Sequence, residues 1–176
     1  MGQIRPVLPV KLFVSVLTSL PPVLTEVETE LIALFGPIDV RSETFPFDST
    51  QYYNRQMGSP LARSFFGFAG LISPAGLAGI KLQTNRLEEI VACRFPSVER
   101  PVNLDPGYLE ESKVVLASTK NFFHRIFLGE GIYAEVTLHW QGGRWQHFPW
   151  TFPDFLTGRY EEFFSHLRRI YRDQLK

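Results

Sequence analysis

A chain of 176 residues is long enough to bury one sizeable core, and an apolar share of 44% is ordinary for a globular protein. Eighteen basic residues balance eighteen acidic ones, so no net charge draws the chain toward nucleic acid or an anionic membrane surface. The single cysteine, Cys93, excludes an intrachain disulfide and any multi-cysteine metal site.

Pro6, Pro9 and Lys11 interrupt the first apolar run before it reaches the length of a secretory signal. Gly2 has Pro6 where a myristoylation signal needs Ser or Thr, and no apolar stretch is long enough to span a bilayer. The expected address is cytoplasmic. Val91 and Ala92 beside Cys93 predict a small buried filler there.

Val10–Leu17, short, apolar and β-branched between Pro9 and Pro21-Pro22, predicts a buried strand. Leu24, Val27, Leu31, Leu34 and Phe35 recur at helical spacing and predict a helix that Gly36-Pro37 ends. It starts at a Thr25/Glu28 capping box or a turn earlier at the prolines. Ile38–Thr44 alternates as a half-buried strand, and residues 45–53 interrupt regular structure, with Asp48 as the cap of a helical turn. Leu61–Leu71 is a third strand, in which Gly67 and Gly70 imply a twist or bulge. Ser73-Pro74 opens a second helix, carried by Leu77, Ile80, Leu87 and Val91 as far as Phe95-Pro96, before a short strand at Pro101–Leu104. This βαββαβ order predicts an α+β chain with a ferredoxin-like core, an antiparallel sheet bearing two helices on one face.

Asp105-Pro106-Gly107 reads as a turn and Ser112–Lys120 as a short helix. His124–Leu128 and Ile132–Trp140 read as a hairpin through Gly129-Glu130-Gly131, and Gln141–Arg144 turns into a further strand at Trp145–Trp150. After a Pro- and aromatic-rich connector, Tyr160, Phe163, Phe164, Leu167, Ile170 and Tyr171 stripe a terminal helix. The whole, residues 1–176, is expected to be one domain with a C-terminal hairpin extension and that helix.

The strings Phe45-Pro46-Phe47-Asp48…Tyr52-Tyr53, Asn103-Leu104-Asp105-Pro106-Gly107-Tyr108 and His124-Arg125-Ile126…Gly129-Glu130-Gly131-Ile132-Tyr133-Ala134-Glu135-Val136-Thr137-Leu138 resemble a bacterial family, domain of unknown function 4416. The resemblance runs along nearly the whole chain. It implies a bacterial cytoplasmic protein of one domain and carries no activity or ligand. Lys11-Leu12-Phe13-Val14 ahead of a βαββ pattern is also similar to the opening of the two-histidine phosphoesterases. That family needs two His-x-Thr/Ser motifs, and none of His124, His139, His147 and His166 heads one.

Residues 103–140 concentrate the polar side chains. Lys113, Lys120 and Arg125, with Ser118 or Thr119 as hydroxyl donors, are the candidates to hold an anion. Asp105, His124 and Glu135 are the candidates for a general base, with the cations stabilising negative charge. A three-residue loop at Gly129–Gly131 sets Arg125 opposite Glu135, whereas a two-residue loop sets His124 opposite Thr137. Asp48, Asp105, His124 and Glu135 have no metal-ligand spacing, so no metal is expected, and the cofactor is unknown from the sequence. The expected function is binding of a nucleotide or phosphorylated metabolite, because the cations outnumber what turns and hairpins require. The alternative is a non-catalytic interaction module using the aromatic C-terminal third, Trp140, Trp145, Phe148, Trp150 and Phe152.

Overall fold

Val10–Thr18 (β1) is buried along its whole length inside a nine-stranded sheet in the computed structural model, which describes residues 2–176. From it the chain runs through helix Pro21–Phe35 (α1), strands Ile38–Arg41 (β2) and Phe45–Pro46 (β3), short helix Asn54–Met57 (α2), strand Ala62–Ile72 (β4) and helix Leu77–Arg94 (α3). Strands Asn103–Leu109 (β5), Lys113–Ser118 (β6), Ile126–Gly129 (β7), Ile132–Gln141 (β8) and Arg144–His147 (β9) follow, and helix Glu161–Gln174 (α4) closes the chain. The sheet order is β2-β4-β1-β5-β6-β8-β7, with β3 beside β4 and β9 beside β8, and all pairings are antiparallel.

Strand alternation distributes β1 between two cores. Leu12, Val14 and Val16 meet Val23, Val27 and Leu31 of α1 and Leu87 and Val91 of α3. Phe13 points to the opposite face, where Phe164 of α4 meets it edge-on at 5.2 Å within a cluster that includes Phe65, Trp145, Phe155 and Leu167. Gly67 lets α4 approach β4 so closely that a Cβ there would lie 2.5 Å from Leu167 Cδ1. Both prolines sit in the first turn of α1, where a missing N–H has no intrahelical partner to lose.

Several local expectations give way. Lys113–Ser118 is a strand, not a helix: Val114 and Leu116 enter the α4 core, while Val115 and Ala117 pack with Leu77 under α3. Buried on both faces, it shows no two-residue alternation to betray it. Asp105-Pro106-Gly107 lies within β5 instead of forming a turn. Asp48 caps no helix and pairs instead with Arg159 at 3.0 Å. Cys93 is exposed, because the helical turn that buries Val91 rotates it outward.

Candidate functional site: a cleft where the sheet forks

The fork follows from how β5 uses its hydrogen bonds. β5 and β6 pair only where Gly107–Leu109 meet Val114–Leu116. Upstream, the Leu104 N–H donates to Glu88 Oε1 at 2.7 Å, and the Leu104 carbonyl accepts from Lys81 Nζ at 2.6 Å. Two side chains of α3 thus replace the missing strand. Two residues on, along the same edge, Pro106 has no N–H to offer. Gly107 is where the strands rejoin: a Cβ there would collide with the Val115 carbonyl and the Phe13 ring. The fork opens a cavity of about 450 Å³, inside the roughly 300–1,000 Å³ usual for small-molecule sites.

One wall is a row of rings between two cations. The Arg63 guanidinium lies 4.9 Å from the Phe47 ring, Phe47 lies 6.0 Å from Tyr53, and Tyr53 meets Tyr52 at 5.0 Å. The Lys120 ammonium sits 5.2 Å from the Tyr52 ring at the exposed end. Lys81, Asn85, Arg100, Asn103 and Asp105 also line the cavity, with Thr119, Arg125, Glu135, Phe152 and Asp154.

The lining carboxylates are largely consumed by the protein. Glu135 Oε2 accepts from Arg125 Nε at 2.7 Å and pairs with His124 Nε2 at 3.1 Å, and Oε1 accepts from Thr137 at 3.3 Å. Asp105 takes Lys81 Nζ at 3.4 Å on one oxygen and Asn103 Nδ2 at 2.6 Å on the other. Burial works to raise the Asp105 carboxyl, but Lys81, Arg63, the Asn103 amide and Arg100 together hold it below its ordinary value. Asp154 Oδ2 accepts from the Tyr160 hydroxyl at 3.0 Å and lies 3.1 Å from Arg63 Nε. Behind the cavity Glu88 goes the other way, because burial outweighs Lys81 and Arg100 and raises its carboxyl. Burial, with Asp105 nearby, likewise raises the Tyr53 hydroxyl.

Donors, by contrast, are left over. Arg63 spends Nη1 on Ser15 at 2.8 Å, and Arg125 spends Nη1 on Ser118 Oγ at 2.9 Å and the Lys120 carbonyl at 2.8 Å. Their Nη2 groups and Lys120 Nζ have no acceptor among the described residues, and the Asn85 amide and Thr119 hydroxyl, each able to donate or accept, have no partner there.

The cleft gathers four of the six residues that the sequence singles out: Asp105, Lys120, Arg125 and Glu135. His124 stands behind Glu135, its ring stacked on Trp150 at 5.3 Å and its buried Nδ1 without a partner. Lys113 lies at the other end of β6, paired with Glu110 at 3.1 Å, and takes no part. The hairpin reaches its register by an unexpected route. Its turn is the two residues Glu130 and Gly131, both at positive φ (51° and 76°), and Gly129 faces Ile132. An irregularity between Phe127 and Gly129 absorbs one residue and restores Phe127 opposite Tyr133, which sets Arg125 level with Glu135. Arg63, Lys81 and Arg100 escape the segment-based reading because they come from β4, α3 and the loop before β5. Only Arg63 carries a signal in the sequence, a charge placed within an otherwise apolar strand. Among the described residues no three His, Cys, Asp or Glu side chains are grouped to hold a metal ion.

The model of one family, described as Domain of unknown function (DUF4416), matches residues 8–171. The chain belongs to that family. Each of the three strings that carry the family resemblance contributes to the cleft of this DUF4416 chain: Phe47, Tyr52 and Tyr53 from the first, Asn103 and Asp105 from the second, Arg125 and Glu135 from the third. No curated protein and no solved structure matches the DUF4416 chain. No helix among its described residues is long and apolar enough to cross a membrane.

Proposed function

We propose that the cleft binds a small anionic molecule, a nucleotide or another phosphorylated metabolite, in the bacterial cytoplasm. The whole chain serves as one domain, with β1, α1, β2, β4, α3 and β5 as a ferredoxin-like core. The observation that carries the proposal is the imbalance of hydrogen-bonding groups. Of the six oxygens on the three lining carboxylates, only Asp154 Oδ1 lacks a donor, while the Nη2 groups of Arg63 and Arg125 and the Lys120 ammonium lack acceptors among the described residues. A site with donors to spare favours a ligand rich in acceptors. Glu135 is then a positioning residue, holding Arg125, which in turn clamps the loop that carries Thr119 and Lys120.

The proposal is tested by thermal unfolding with inorganic phosphate, ribose 5-phosphate and nucleoside monophosphates. A ligand at about a hundredfold excess over its Kd stabilises by about 2.7 kcal/mol. Lys120→Ala is expected to shrink the shift without lowering the unliganded melting temperature, since Lys120 is exposed and has no ion pair. Arg168→Ala, on α4 beside Trp140, is expected to leave the shift unchanged. A panel that produces no shift sinks the proposal.

A second reading, a protein-interaction surface, draws support from one feature of the sheet edge. Phe122, Phe123, Ile126, Phe127 and Leu128 are all exposed on or beside β7. The C-terminal aromatics offer less: Trp145 is buried, and Trp150 is stacked between His124 and Phe148. Analytical ultracentrifugation of Phe127→Lys beside wild type tests this reading, which fails for self-association if both sediment as the same species.

A further inference from the structure

We infer that the anion held by the cleft carries a flat ring with hydrogen-bonding edges, so that its ligand class is the nucleoside phosphates; the inference rests on the anion reading above. Two observations carry it. First, Tyr52 and Tyr53 join Phe47 in the unbroken row of rings from Arg63 to Lys120, and Tyr52 is 69% exposed although aromatic. A sugar phosphate or a bare anion has no π face to cover such a row. A nucleobase does, and stacking on aromatic side chains typically gains about tenfold to a hundredfold in affinity.

Second, the charge distribution orients the ligand. At the floor the cations have counter-ions: Arg63 lies 3.1 Å from Asp154, Lys81 lies 3.4 Å from Asp105, and Arg100 lies 2.9 Å from Glu88. At the mouth Lys120 has no ion pair among the described residues, and the Thr119 hydroxyl beside it lacks a partner. The uncompensated positive charge is therefore at the mouth, and the phosphate belongs there. The floor offers Arg63 Nη2 as a donor and the Asn85 amide, which both donates and accepts, to the edge of a heterocycle. Between the two ends Tyr52 and Tyr53 meet edge to face at 90°, so the ring stacks on the face of one and meets the edge of the other.

Isothermal titration calorimetry with the four common ribonucleoside monophosphates, ribose 5-phosphate, inorganic phosphate and adenosine tests this. At least one nucleotide is expected to bind about tenfold or more tightly than ribose 5-phosphate. Tyr52→Ala and Tyr53→Leu are expected to remove most of that advantage without changing ribose 5-phosphate binding, and Lys120→Ala to weaken both. Tyr52 is exposed, so its removal leaves the fold intact, which an unchanged unliganded melting temperature verifies. If ribose 5-phosphate binds as tightly as all four nucleotides, the ring inference is overturned and the anion reading stands. If adenosine binds as tightly as its monophosphate, the phosphate assignment is overturned. Absence of binding by every probe overturns both.

Discussion

Glu135→Leu removes the carboxylate to which Arg125 and His124 are both joined, in a place where the Glu135 and Arg125 side chains are 1% and 9% exposed. The guanidinium is left buried without its counter-ion, and breaking a buried pair from one side costs about 3–5 kcal/mol. That is a large part of the roughly 5–15 kcal/mol that holds a domain of this kind folded. Replacing both partners, Glu135→Leu with Arg125→Met, removes the stranded charge. The Thr137 and His124 contacts to Glu135 are lost in both variants; the second change additionally gives up the Arg125 Nη1 bonding to Ser118 Oγ and to the Lys120 carbonyl, near the surface, where water offsets part of the loss. The double variant is therefore expected to be more stable than Glu135→Leu alone. Urea unfolding of the wild type, both single variants and the double closes a thermodynamic cycle with a coupling of about 1.5–3 kcal/mol. A coupling under about 0.5 kcal/mol would show that the two residues act independently and refute the positioning role of Glu135.

Phe164→Ala, emptying the place where Phe13, Phe65, Phe155, Phe163 and Trp145 converge, is expected to cost about 3–5 kcal/mol in urea unfolding. Gly107→Ala must push β5 from β6 below the fork, costing about 1–3 kcal/mol; a variant as stable as wild type would contradict the close approach. Asp105→Asn tests the depressed carboxyl. Because the folded pKa lies below the ordinary 3.8, the wild type's advantage is fully present above that value and is lost as pH falls through the folded one. Urea midpoints that keep the same gap from neutral pH down to about pH 2 would count against it. Cys93, being exposed, is expected to react with a thiol reagent in the native protein at a rate close to that of the unfolded chain.

The alternation of helix and strand over the first hundred residues was legible because the hydrophobic period changes at each boundary, and the α4 stripe because Phe163, Phe164, Leu167 and Tyr171 share one face. β6 was not legible as a strand: with both faces buried, Val114–Ala117 carries no alternation. Asp105-Pro106-Gly107 has turn chemistry, and only the tertiary arrangement shows proline at an unpaired edge and glycine under a neighbouring carbonyl. The level pairing of Arg125 with Glu135 was legible from counting along the hairpin, although a two-residue turn and an irregularity near Leu128 stand where a three-residue loop was expected. The floor of the cleft was not legible, since Arg63 and Lys81 come to line it beside Asp105 from segments far away in the chain.

The most direct test is an amide nitrogen–proton NMR titration of the full chain with inorganic phosphate and then a nucleoside monophosphate. Saturable shifts are expected at Thr119 and Lys120 with both probes, and additionally at Tyr52, Tyr53 and Asn103 with the nucleotide. Shifts confined to α4, β9 or the β7 edge, or none that saturate, would contradict a ligand site in the fork of the sheet.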